Sequence, residues 1–249
     1  MINLEKAQIE LIDLSKKASI SLAKRGLGGQ KAKISVIIDI SQSMDSQFRD
    51  GRIQQAFQRL LGLAMNFDDN GAADTFAFGI NHYYLGEIEQ NNFYQFVDRE
   101  ILNKHRLEGG TKYAGVLKRV VDFYFPEITV KKPGFLGFGR KSYNVRNISP
   151  DLPCLAIFIT DGDCHDPEET KNIIRTASHL GLFIQFVGIG KSDFSFLSEL
   201  DILEDRFIDN ANFFSINDLS EISDNELYDR LLNEFPQWLL LAKHKGLII

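Results

Sequence analysis

Apolar residues recur along this chain with two periods, and the alternation between them sets out the elements. Leu4, Ala7, Leu11, Leu14 and Ala18 stand at helical spacing over Leu4–Lys24, and Arg25-Gly26-Leu27-Gly28-Gly29 supplies a glycine-rich stop. Within that stretch Ser19-Ile20-Ser21-Leu22 also alternates, so a short strand is a second reading there. Ile34-Ser35-Val36-Ile37-Ile38-Asp39-Ile40 is rich in β-branched residues and almost continuously apolar, as a central strand covered on both faces must be. Residues 51–67 return to a spacing of three and four through Ile53, Ala56, Phe57, Leu60, Leu61, Ala64 and Phe67, predicting an amphipathic helix that ends at Asp68-Asp69-Asn70-Gly71. A strand over 74–80 follows, and Asn81-His82 turns it into 83–88 as a hairpin at the sheet edge. The spacing then predicts a short helix over 93–102, a polar loop over 105–111 and a helix over 112–124.

The second half repeats the alternation. Strands are predicted over 154–160, 182–189 and 212–216, with helices over 167–180 and 194–200 between them. A closing helix over 222–245 is kinked or split at Pro236. Strands alternating with helices imply an α/β fold: a doubly wound, mostly parallel sheet with an antiparallel edge strand, helices on both faces and right-handed crossovers. The chain reads as a single domain, 1–249, with an N-terminal helical extension over 1–30. Residues 126–153 break the pattern, interleaving Lys131, Lys132, Arg140 and Lys141 with Gly134, Gly137, Gly139, Phe135 and Phe138. This insertion reads as a solvated basic loop or as a surface for an acidic partner.

Composition narrows the function classes. The chain has 249 residues, 44% hydrophobic and 25% charged, enough to bury one large core. A net charge of -6 and a pI near 5.4 argue against nucleic acid as a partner, because phosphate binding needs clustered Lys and Arg. No apolar run reaches the ~20 residues needed to cross a bilayer, so no transmembrane segment is expected. Met1-Ile2-Asn3-Leu4-Glu5-Lys6 lacks the basic start and apolar block of a secretory signal, which makes the cytoplasm the expected location. Two cysteines, Cys154 and Cys164, are too few for a disulfide scaffold and lack zinc-type spacing.

Candidate chemistry gathers at the carboxyl ends of the strands, where α/β sheets bind their ligands. Asp39, Ser41 and Ser43 follow the first core strand at every second position, so an extended turn points three hard oxygens to one side. Turn and helix-cap roles are the ordinary alternative for such residues. Glu108-Gly109-Gly110-Thr111 precedes a helix and brings a hydroxyl to the same edge, and Asp161 stands directly after a second buried strand. A carboxylate there is costly without a cation or donors. Together these oxygens suit Mg²⁺ or Mn²⁺ better than a soft-ligand metal.

Asp39-Ile40-Ser41-Gln42-Ser43, Thr111 and Asp161-Gly162 resemble, in order, spacing and strand context, the metal-ion-dependent adhesion site of von Willebrand factor A (vWA) domains, with all five ligand positions intact. More narrowly, Lys31-Ala32-Lys33, Ser43-Met44, Asn66-Phe67-Asp68-Asp69-Asn70-Gly71 and Glu108-Gly109-Gly110-Thr111 are similar to the vWA domains of bacterial tellurium-resistance proteins of the TerF/TerY type. The resemblance implies a Rossmann-like vWA fold and a bound Mg²⁺, with Mn²⁺ or Ca²⁺ as alternatives. Asp39, Ser41, Ser43 and Thr111 would hold it directly or through water, and Asp161 through water. An Asp or Glu of a protein partner would fill the open position. The implied role is in tellurite resistance or stress response, as a binding protein and not an enzyme. Gln42 stands where many members carry Gly, which adds a bulky amide to the rim.

A rival reading makes Asp39 the nucleophile of a Mg²⁺-dependent phosphatase or phosphotransferase. Such enzymes want a second Asp two residues on as acid/base, and Ser41 stands there. Gly190-Lys191-Ser192 resembles the end of a phosphate-binding loop, but Gln185 occupies the position of its first glycine. The five histidines form no metal-type pair on one helix face and read as surface or helix-end residues.

Overall fold

The computed structural model describes residues 4–126, 129–131, 142–144, 152–162 and 164–249. Its strands are β1 (Lys33–Asp39), β2 (Ala73–Phe78), β3 (His82–Ile88), β4 (Thr129–Lys131), β5 (Ser142–Asn144), β6 (Cys154–Thr160), β7 (Leu182–Ile189) and β8 (Ala211–Ile216). Six of them form one sheet in the order β3-β2-β1-β6-β7-β8, parallel throughout except for antiparallel β3 at the edge. The doubly wound mixed sheet predicted from the sequence is the sheet observed. β4 and β5 pair with each other as a separate antiparallel ladder. The rest of the predicted basic insertion, Phe135 and Phe138 included, lies outside the described residues.

Helices cover both faces. α1 (Leu4–Lys24), α2 (Asp45–Arg49), α3 (Arg52–Phe67), α4 (Tyr113–Tyr124), α5 (Pro167–Ala177), α6 (Ser195–Asp201), α7 (Asp224–Leu231) and α8 (Phe235–His244) follow in chain order. Alternation along β1 decides which helix each residue meets. Ile34, Val36 and Ile38 join the apolar cluster under α1, α3, α7 and α8, whereas Ile37 joins the cluster under α4, α5 and α6. By the same alternation Asp39, two residues after Ile37, and Thr160, two after Phe158, belong to the α4 face. This parity positions the site. The chain leaves β1 toward β2 and β3 on one side and reaches β6, β7 and β8 on the other. The winding therefore reverses between β1 and β6, and ligands of such sheets sit outside the carboxyl ends of the strands at that reversal.

Some finer expectations from the sequence hold and others are corrected. Ser19-Ile20-Ser21-Leu22 is helix, because Ser21 and Leu22 continue the buried stripe of Ala7, Leu11, Leu14 and Ala18. Close packing of α1 on α3 depends on Gly62, where a Cβ would stand 2.9 Å from Leu14 Cβ. The short helix expected over 93–102 is helical only over 96–102, with a π-helical turn at Asp98–Leu102, because Gln95 takes a φ of 54° that no right-handed helix accepts. The helix after Pro167 stops at Ala177. The closing helix is split, as expected, into α7 and α8, with Pro236 in the first turn of α8, where its missing N–H costs nothing. Among the described residues no helix is long and apolar enough to cross a membrane.

Candidate metal centre

Asp39 ends β1 fully buried. Its Oδ1 accepts the Ser41 N–H at 2.7 Å, closing a tight turn, and its Oδ2 accepts the Thr160 hydroxyl at 2.6 Å. Thr160 ends β6, and its Oγ1 lies 3.1 Å from the buried hydroxyl of Tyr113, the first residue of α4. The Ser41 and Ser43 hydroxyls are 2.9 Å apart. Burial pushes the Asp39 carboxyl up to about 6, against the hydrogen bonds of Thr160 and Ser41, and the charge of Asp161 adds to the rise. Among the described residues Asp39 joins no salt bridge, so its charged neighbour is another carboxylate. Asp161 follows Thr160 directly and is half-buried. The chain then turns at Gly162 with a φ of 125°, which only glycine adopts readily.

The Thr111 loop is laid along the turn after β1. Ser41 and Glu108 form an isolated parallel bridge in which the Gln42 N–H donates to the Glu108 carbonyl and the Glu108 N–H to the Ile40 carbonyl, both at 2.8 Å. The Glu108 carboxylate is occupied elsewhere, accepting from the Asn81 N–H at 2.8 Å and the Tyr83 hydroxyl at 2.7 Å. Three residues on, Thr111 is buried, and its backbone N–H donates to His165 Nδ1 at 3.0 Å.

Helix capping does not account for these hydroxyls. Lys112, not Thr111, occupies the cap position of α4, and Asp166 satisfies the first amides of that helix from across the loop. Ser41 precedes the single 3-10 turn Gln42–Met44 without a side-chain capping bond. Asp39, Ser41 and Ser43 thus stand in one hydrogen-bonded group, Asp161 is near enough for its charge to act on Asp39, and Thr111 reaches the same edge through the Glu108 bridge. Among the described residues no three His, Cys, Asp or Glu side chains are arranged to hold a metal. A cation here must be held mainly by hydroxyls and two carboxylates, a hard-oxygen set. Gln42, Ser43 and His165 are exposed, so the group opens to solvent.

Thr160, Tyr113, His165 and Asp166 also build this site, and the motif spacing does not flag them. Thr160 carried the same signal as Asp161, a polar residue ending an apolar strand. Tyr113 falls within the helix expected over 112–124 and carries no such signal. His165 is exposed, as expected of a surface histidine, yet its ring nitrogen holds the Thr111 backbone.

A mixed sheet reversing between β1 and β6, with the Asp39-Ser41-Ser43 turn at the reversal, defines a vWA-type α/β domain. The chain belongs to the vWA-TerF-like family, the vWA domain found in the TerF C terminus, whose family model matches residues 31–140 and 141–248. It is 38% identical over 240 residues to the YcbR protein of Bacillus subtilis (strain 168), covering 95% of this chain and 90% of that protein. Among solved structures it resembles proximal thread matrix protein 1 of the mussel byssus, with a TM-score of 0.56 and 18% identity over 82% of this chain. A form of that protein with a zinc-occupied MIDAS motif gives a TM-score of 0.56 at 19% identity. The chain spans about half the length of these byssus proteins, 47%. The N-terminal domain of TFIIH p34 shares the fold at a TM-score of 0.51 and 15% identity, over 82% of this chain and 98% of that one. vWA domains typically mediate protein interactions.

Proposed function

We propose that Asp39, Ser41, Ser43, Thr111 and Asp161 hold a divalent cation, Mg²⁺ or else Mn²⁺ or Ca²⁺, and that an Asp or Glu of a protein partner completes its coordination. The observation that carries this reading is Asp39: a fully buried carboxylate among hydroxyls whose charged neighbour is Asp161. Ionising Asp39 in that position costs a few kcal/mol, and a positive charge beside it offsets that cost. When bound, the cation supplies that charge and an electrophilic position for a further carboxylate. Asp39 and the serine hydroxyls orient it, and the exposed Ser43 and Gln42 form the rim the partner meets. The zinc-occupied motif of the byssus protein supports the reading by analogy of fold.

Binding fits the site better than catalysis. Both Asp39 oxygens already accept hydrogen bonds, and Ser41 stands where a phosphotransferase needs an acid. In this reading residues 1–249 work as one domain in the cytoplasm, a compartment that suits the free Cys154 and Cys164. Kinship to the TerF domain supports a part in tellurite resistance or stress response.

Thermal unfolding with Mg²⁺ and with EDTA tests the cation. At a hundredfold excess over Kd the cation stabilises by about 2.7 kcal/mol, or roughly 5–10 °C for a chain of this size. Asp39→Ala abolishes the difference; an equal response in wild type and variant overturns the reading. Partner capture from the native cell should be lost both with EDTA and in Ser41→Ala.

A further inference from the structure

We infer that Cys164-His165-Asp166 is a staple that positions Thr111 at the cation site. The inference rests on the cation reading above. Four hydrogen bonds join this segment to the Thr111 loop and the start of α4. The His165 N–H donates to the Thr111 carbonyl at 2.8 Å, and the Thr111 N–H donates to His165 Nδ1 at 3.0 Å. Asp166 Oδ1 accepts the Tyr113 N–H at 2.9 Å and Oδ2 accepts the Ala114 N–H at 3.2 Å.

The placement of Asp166 is unusual and gives the staple its stiffness. By position it caps α5, yet its side chain makes no bond to α5 amides and is spent on α4 instead. There the helix dipole favours a negative charge. Its Oδ1 also accepts from the Cys164 thiol at 3.3 Å and the Thr170 hydroxyl at 3.2 Å, which ties it back to α5. On the other side the His165 ring lies against the backbone of Gly110. A Cβ at Gly110 would stand 3.0 Å from His165 Nδ1 and 3.1 Å from Ile80 Cγ1, so only glycine lets the ring reach the Thr111 amide. The third ligand segment, 39–43, meets the Thr111 loop at the Glu108 bridge and the end of β6 at the hydrogen bond from Thr160 to Asp39. Thr111 is held in place by residues 164–166, and small losses at His165 displace it from the cation without unfolding the domain.

His165→Ala and His165→Asn in the full chain test this, with MgCl₂ and MnCl₂ titrated by calorimetry and amide hydrogen exchange followed at Thr111 in EDTA. His165→Ala should weaken cation binding by about 10-fold, the usual cost of losing a group that orients a ligand. Exchange at Thr111 should accelerate in that variant. His165→Asn, whose amide oxygen can accept from the Thr111 N–H, should recover most of both losses, a rescue that a purely structural role would not give. Wild-type affinity and exchange in His165→Ala overturn the staple and leave the cation site standing. A wild-type protein indifferent to both cations overturns the two together.

Discussion

Two buried aspartates flank β1, and their surroundings differ in the sign of the charge each one meets. Asp68, at the end of α3, reaches back to the start of the strand. Its Oδ2 accepts the Ile34 N–H at 2.8 Å and its Oδ1 the Asn70 N–H at 3.1 Å. Burial pushes its carboxyl up, a hydrogen bond shared with Asp69 pushes it further, and the Lys33 charge opposes the rise. Asp69 in turn pairs with Lys33. The chain itself has completed this neighbourhood. At the other end of β1 burial pushes Asp39 up as well, but the nearby charge is Asp161 and adds to the rise. Burial therefore does not distinguish the two residues; the sign of the neighbouring charge does, and the proposed cation site rests on that difference.

The largest effect that tests this contrast is expected from Asp68→Ala. It strands the Ile34 N–H in the core, worth about 1–3 kcal/mol when left without a partner, and takes one of two acceptors from the exposed Asn70 N–H, so a loss of about 3 kcal/mol is expected in urea unfolding. The loss should be the same in Mg²⁺ and in EDTA. A loss that depends on the cation would make Asp68 part of the functional site and erase the distinction.

The pH dependence of stability separates the two ends next. With its folded value raised from 3.8 to about 6, Asp39 binds its proton more tightly in the native chain than in the unfolded one. Its contribution is then fully present below the ordinary carboxylate value and is lost as pH rises through about 6, by up to about 3 kcal/mol in EDTA. Asp68 titrates in the same sense, so the measured quantity is the difference between wild type and Asp39→Asn, whose amide does not titrate. That difference should span pH 4 to 6 in EDTA and vanish in saturating Mg²⁺, where the cation holds Asp39 ionised. An unchanged difference in Mg²⁺ would show that nothing bound there meets the Asp39 charge.

How much of this was legible in the sequence follows from the range of the interactions. β1, β6 and β7 could be read because strands buried on both faces must be continuously apolar, and Asp39, Ser41 and Ser43 because their spacing is local. At 93–102 the period was right, since Phe93, Phe96, Val97 and Ile101 are all buried, but the turn at Gln95 confines the helical residues to 96–102. In building the site, Thr160, Tyr113, His165 and Asp166 act on residues 47 to 121 positions away. No local pattern encodes such pairs. Likewise nothing in Asp68-Asp69-Asn70-Gly71 beyond a helix end announced that Asp68 would hold the first amide of β1.

The smallest effect concerns the support beneath Asp68. Lys31 Nζ donates to the Asn66 carbonyl at 3.1 Å and the Asp68 carbonyl at 2.7 Å, satisfying the last turn of α3 where a positive charge meets the negative end of the helix. Lys31→Met keeps the aliphatic stem and removes only these bonds, so about 1 kcal/mol of stability should be lost by urea unfolding. Because Lys31 acts on the backbone at the amino end of β1, neither the Mg²⁺ response nor the Asp39 part of the pH profile should move. If either moves, the two ends of β1 are mechanically linked through the strand, and the charge at Asp39 has to be read together with the seating of α3.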